Sequence, residues 1–171
     1  MGPRVHGNYR HLTLRPFKGS QTFQNLHDTR SAVFHVVDSV DVIAKAVCRR
    51  LKPMPQTVPA EKIDGFVLED CCRWFELTIT DMDLSEERTE MTAAIQHTGE
   101  RRPHRGFNRA CHAVIEASIL ASRVHLLPRD EIISSLDGLV SAVDKTGSRD
   151  EIMAFEMIRQ FVETSDREHA E

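Results

Sequence analysis

With 171 residues, 40% of them apolar, the chain is long enough for one domain with its own core, or a small domain with an appendage. Lysine and arginine number 22 against 26 aspartate and glutamate, a formal net charge of −4, which speaks against bulk affinity for nucleic acid or an anionic membrane. No apolar run is long enough to span a bilayer, and the amino terminus has no signal-peptide core. Four cysteines, Cys48, Cys71, Cys72 and Cys111, lack Cys-x-x-Cys spacing and suit free thiols in the cytoplasm.

Residues up to about 8 read as turn. Residues 9–15 alternate around Leu12 and Leu14 and predict a strand. Pro16 and Gly19 break it. A short helix follows over 21–27, with Ser20 as its cap. Residues 31–37 are β-branched and apolar enough for a buried strand. Asp38 or Ser39 is placed to cap a helix through Val40, Ile43, Ala44 and Val47. The proline-rich stretch 52–59 reads as an extended loop.

Residues 71–81 alternate, with Phe75, Leu77 and Ile79 on one face and Cys72, Trp74, Glu76, Thr78 and Thr80 on the other. A turn at 83–87 leads into a strand over 88–98, with Met91, Ala93 and Ile95 inward. The two make an antiparallel hairpin. A long helix is expected over 108–126, capped by Asn108. Another follows over 129–145 and stops at Lys145-Thr146-Gly147. A third begins at Ser148, whose capping-box partner is Glu151. Its stripe is Ile152, Phe155, Ile158, Phe161 and Val162. The charged end, 165–171, reads as frayed. The fold class is α+β: a small antiparallel sheet over 1–100, with three helices over 101–171 packed behind or beside it.

Two stretches carry candidate chemistry. In 14–26 a strand, a tight turn and a helix start bring together Arg15, Lys18, Ser20, Thr22 and Asn25. Cations supply affinity for a phosphate, while hydroxyls and free amides supply geometry. No Gly-x-x-x-x-Gly-Lys pattern is present. In 103–127 a basic, glycine-containing turn opens the long helix. Arg105, Asn108, Arg109 and His112 surround a positive helix start suited to an anion. Spacing alone favours the plainer reading for both, a capped surface turn and a solvated helix face. The nine histidines do not fall at the spacing of a compact metal site, so no metal is expected. Neither a Cys–His nucleophile nor a nucleophile elbow is present.

Together these stretches resemble a family of FMN-binding split-barrel proteins of unknown function, found mainly in archaea and some bacteria. The likeness rests on Met1-Gly-Pro3, Leu14-Arg-Pro-Phe-Lys18, residues 22–26, and above all Arg105-Gly-Phe-Asn-Arg109 with His112-Ala-Val-Ile-Glu-Ala117. Arg123-Val-His-Leu126 and Lys145-Thr-Gly147 extend it. The resemblance implies a flavin-reductase-like antiparallel split β-barrel, a C-terminal helical region, FMN as cofactor, and a homodimer with FMN near the subunit interface. It implies that the five residues of the first stretch hold the phosphate and ribityl chain, and that Arg105, Asn108, Arg109 and His112 line the adjoining edge. Members open with a β-hairpin leading into Ala-Pro-Met-Gly-Pro. Here Met1-Gly2-Pro3 stands first, so that hairpin is expected to be absent. The functional expectation is an FMN-dependent oxidoreductase acting on an unknown small molecule. The alternative is a non-catalytic binding or assembly protein for a nucleotide or phosphorylated metabolite.

Overall fold

A computed structural model describes residues 2–7 and 9–165. The frayed end expected from 165 onward therefore lies, past Ser165, outside the described residues. The chain divides into two compact units: Met1–Val37 with Gln56–Pro103, and Asp38–Pro55 with His104–Glu171.

The first unit is a five-stranded sheet, ordered β1-β2-β7-β6-β3 and antiparallel throughout. Its strands are β1 (Arg4–His6), β2 (His11–Leu14), β3 (Ser31–Val36), β6 (Arg73–Asp83) and β7 (Glu90–Glu100). The long β6–β7 hairpin was predicted, and Phe75, Leu77, Ile79, Met91 and Ala93 are buried as expected. They form one core with Leu12 of β2 and Leu26 of helix α1 (Gln21–Thr29). Register shifts fall between Glu76 and Leu77 and between Ile79 and Asp81. Such bulges bend a strand and raise its twist, which suits a sheet curling toward a barrel.

Three expectations for this unit are corrected. Residues 4–6 are a strand rather than a turn, pairing with β2 through Gly7 and Tyr9, both at positive φ. A three-residue exposed strand carries no periodic signal. The proline-rich segment is not all loop: β4 (Thr57–Pro59) pairs with β5 (Phe66–Leu68), and Pro59 is tolerated at the end of a two-stranded ribbon. Glu76, assigned by alternation to the polar face, is 0% exposed.

The second unit is helical: α2 (Asp41–Val47), α3 (Arg109–Ala121), α4 (Arg129–Thr146) and α5 (Arg149–Thr164). Its core is Ala113, Val114 and Ala117 of α3 with Ile132, Leu136, Ala154, Phe155 and Ile158, and α2 adds Val40 and Ala44. Alanines on α3 let its neighbours approach closely. The capping box at Ser148 is present, its N–H donating to Glu151 Oε2 at 2.7 Å.

Three details differ from the sequence reading. Neither Asp38 nor Ser39 caps α2; Val40 holds that position without a side-chain bond. Helix α3 ends at Ala121, five residues early, where tight turns such as Arg123 N–H to Leu120 O (3.0 Å) replace it before Pro128. The stop expected at Lys145-Thr146-Gly147 is present, with Gly147 as the cap of α4 at φ −79°. Its value is space: an added Cβ would come within 2.6 Å of Val143 O. Ile152 of the expected α5 stripe is exposed. No helix among the described residues is long and apolar enough to cross a membrane.

Candidate functional site

In the sheet unit, Arg15 follows β2 directly, Lys18 lies in the turn, Ser20 caps α1, and Thr22 and Asn25 stand on its exposed side. One strand–turn–helix passage thus brings the five together. The turn is fixed from the β6–β7 connection. Lys18 N–H donates to Glu87 O at 3.0 Å, and Thr89, itself buried, donates both N–H (3.1 Å) and Oγ1–H (2.9 Å) to Pro16 O. Arg88 lies over the Phe17 ring, 5.3 Å from its centroid. Sequence reading missed Thr89, because its partner is 73 residues away.

Arg15 Nε is buried and makes no hydrogen bond among the described residues, although Glu90 Oε1 lies 2.9 Å away. The two findings differ in kind. The ion pair is close, but the N–H does not point along it, so a donor remains open. Lys18 also has an acidic neighbour. The Asp83 carboxyl sits below its ordinary range, chiefly because the Ser85 N–H donates to it at 2.9 Å, with the Lys18 charge adding to the effect. Ser20 is occupied: its hydroxyl donates to Phe17 O (2.7 Å) and accepts the Phe23 N–H (3.1 Å). Asn25 Oδ1 accepts from Gln21 Nε2 at 2.8 Å. Thr22 makes no side-chain hydrogen bond among the described residues. The Gln21 and Thr22 amides open the helix and have no carbonyl four residues back inside it. The passage therefore offers one unpaired guanidinium N–H, a hydroxyl and helix-start amides, a donor set matched to an anionic oxygen. The carboxylates of Glu90 and Asp83 limit its net positive charge.

In the helical unit, Arg105, Asn108, Arg109 and His112 gather at the start of α3. Asn108 Oδ1 accepts the Ala110 and Cys111 amides at 2.7 and 3.3 Å, and its Nδ2 donates to Thr146 O at 3.2 Å. Thr146 Oγ1 also accepts from Ala110 N–H. The helix-start donors that the sequence offered to an anion are thus largely taken from within. Arg105, Arg109 and His112 are exposed. Asp38 is used here instead of capping α2: its Oδ2 accepts the Arg105 N–H at 2.9 Å. Among the described residues no group of histidine, cysteine, aspartate and glutamate has the arrangement of a metal site.

Glu76 is the buried charge that alternation hid. Its carboxylate accepts from Glu61 N–H (2.9 Å), Lys62 N–H (2.6 Å) and Trp74 Nε1 (3.2 Å). Burial would raise its pKa. The two amides, the indole and the nearby His97 outweigh that and hold it below the ordinary range. It anchors the β4–β5 connection onto β6.

The chain superimposes on an FMN-bound protein of Methanosarcina mazei with a TM-score of 0.79 at 20% identity, covering 93% of this chain and 84% of that one. The NADH:FAD oxidoreductase SgcE6 of Streptomyces globisporus gives 0.50 at 10% identity over 58% and 64%. The flavin reductase component BorF of a bacterial two-component tryptophan halogenase gives 0.50 at 9% over 60% and 70%. At these identities the likeness is one of fold. It defines the class: a flavin-reductase-like split β-barrel of α+β type with an appended helical unit. The chain belongs to the DUF447 family of proteins of unknown function, whose N-terminal domain matches residues 1–102 and whose second model matches 108–160. None of the curated proteins matches it.

Proposed function

We propose that this chain binds FMN. Arg15, Lys18 and Thr22, with the α1 start, take the phosphate, while Ser20 and Asn25 frame the turn. The observation that carries this reading is Arg15, whose Nε is paired with Glu90 at 2.9 Å but makes no aligned hydrogen bond, beside amides that open a helix. A buried donor left without an aligned bond costs about 1–3 kcal/mol, and an anionic oxygen would satisfy it. Family membership supports the cofactor, since the protein from Methanosarcina mazei is described as FMN-bound. Arg105, Arg109 and His112 form a second group of exposed contacts, with Asn108 held in its cap. A cytoplasmic homodimer completes the reading.

FMN would supply redox chemistry, and the residues named here supply position and charge. This supports an oxidoreductase acting on an unknown small molecule. The rival is a non-catalytic binding protein for a nucleotide or phosphorylated metabolite, which would use the same helix-start amides and cations. Reduction of bound flavin by a nicotinamide donor separates the two.

Titration with FMN tests the site. Arg15→Ala should weaken binding by about 1.5–3 kcal/mol, roughly 10- to 150-fold, the range for a charge-assisted hydrogen bond. Unchanged affinity in a variant with native Trp74 emission would return Arg15 to the role of a Glu90 partner.

A further inference from the structure

We infer that the β4–β5 ribbon is a pH-released flap on the sheet unit, with His35 as its catch and Glu76 as its hinge. On β3, Ala32, Phe34 and Val36 pack against the sheet core. His35 therefore faces the other side, where it lies opposite Trp74 of β6. Its Nε2 accepts the Leu68 N–H of β5 at 3.0 Å. Only a neutral ring with its proton on Nδ1 can accept there. A protonated ring turns an N–H toward an N–H, and the bond is lost.

A two-stranded ribbon is marginally stable at best by itself. In the two strands of this one only Val67 is buried, and Thr57, Pro59 and Phe66 are exposed. The Glu69 N–H to Gln56 O bond (3.0 Å) and the Ala60 N–H to Gly65 O bond (2.9 Å) stay within the ribbon. Its place on the sheet therefore rests on attachments from outside. At the β5 end this is the His35–Leu68 bond. At the connection, the Glu76 carboxylate accepts the Glu61 and Lys62 amides at 2.9 and 2.6 Å.

The two attachments answer acid at different pH. The charged and titratable groups on this side are Glu76 on β6, His97 on β7, Arg101 over the Trp74 ring, Glu61 and Lys62 in the connection, and Glu69 and Asp70 after β5. His97 Nε2 lies 3.4 Å from Glu61 Oε1, and Asp70 pairs with Arg102. None of these charges sets the His35 titration; burial alone lowers it from the ordinary 6.5. Because the folded value is depressed, the hold of His35 is complete above the unfolded value and is lost as pH falls through the folded one. The Glu76 carboxyl is held below its ordinary range, chiefly by the two amides and the Trp74 indole against the effect of burial, so it stays ionised in mild acid. A protonated His97 would grip Glu61 more firmly. Mild acid thus frees the β5 end while the connection stays tethered. No residue of the FMN proposal takes part, so the two are tested apart.

The test is amide hydrogen exchange of the full chain followed by NMR, expressed as protection against the intrinsic rate at each pH. An opened imidazole one pH unit below its free value is protonated about tenfold over neutral, so from pH 7.5 to 5.5 protection at Leu68 should fall by about two- to tenfold. The Glu61 and Lys62 amides and those of β6–β7 should keep theirs. His35→Gln supplies an oxygen that accepts at any pH, and should hold Leu68 protection constant across the range. His35→Phe should lower it equally at both ends. In the wild type, independently of either variant, the His35 ring and the Leu68 amide should shift together with one midpoint below that of a free imidazole. A wild-type change under twofold, an equal loss at β6–β7, separate midpoints, or a pH dependence that survives His35→Gln would overturn the inference.

Discussion

Replacing Glu76 by glutamine keeps the shape of the side chain and removes its charge. The carboxylate accepts three donors at 2.6–3.2 Å with no exposed surface. Glutamine keeps one acceptor oxygen and turns an amino group toward a backbone N–H. At least one hydrogen bond to a charged acceptor is lost, worth about 1.5–3 kcal/mol, and one buried donor is orphaned at about 1–3 kcal/mol. The expected loss is about 3–5 kcal/mol, a large share of the roughly 5–15 kcal/mol that holds a typical domain. Melting should fall by about 6–20 °C, taking about 2–4 °C per kcal/mol at this chain length. Trp74 is the only tryptophan and donates to Glu76, so its emission reports on this unit directly. The pH dependence has a fixed sign. The folded pKa is depressed, so the contribution is present above the unfolded carboxylate value of about 4.3 and is lost as pH falls through the folded value. The gap between wild type and Glu76→Gln should therefore narrow on acidification below that value. A melting shift under 2 °C at neutral pH, or a gap that widens in acid, would refute the reasoning.

Gly99 faces Trp74 across β6–β7, and an added Cβ would lie 2.1 Å from the indole. Gly99→Ala should cost about 1–3 kcal/mol, the range for overpacking, and shift Trp74 emission; chemical denaturation followed by fluorescence checks both. The Cys111 thiol is pushed up to about 11, first by burial and then by Glu151, whose Oε1 lies 3.5 Å from Sγ. At pH 8 its alkylation should run at least ~100-fold slower than that of a free cysteine thiol with a pKa near 8.5. Mass spectrometry after timed iodoacetamide treatment measures this, and comparable rates would contradict the environment described.

What sequence made legible was local. Ser20, Asn108 and the Ser148–Glu151 pair announce helix starts because a cap and its partner lie within three residues. The β6–β7 faces followed from alternation, since Phe75, Leu77 and Ile79 all point into one core. Glu76 was misplaced because the β4–β5 connection covers the other face of β6, and that cover comes from residues 14 and 15 positions back. Residues 4–6 and 57–59 become strands only through their partners, and neither has a pattern of its own. The proposed phosphate site was readable as residue types, but the setting of Arg15 depends on Glu90, Thr89 and the turn they fix, all distant in the chain. The basic turn read as an anion site because its charges are local. Its first amides are taken by Asn108, the cap the sequence already showed, and Thr146, at the far end of α4, adds a second acceptor for the Ala110 N–H alone.

The central claim is that this chain holds FMN by its phosphate. The most direct measurement compares FMN with riboflavin, which has the same ring and ribityl chain and no phosphate, in parallel fluorescence titrations of the wild-type protein. The account predicts saturable quenching by FMN and affinity for riboflavin at least tenfold weaker, the loss of one or more charge-assisted bonds. Equal affinity for the two flavins, or no saturable binding of FMN, would contradict it.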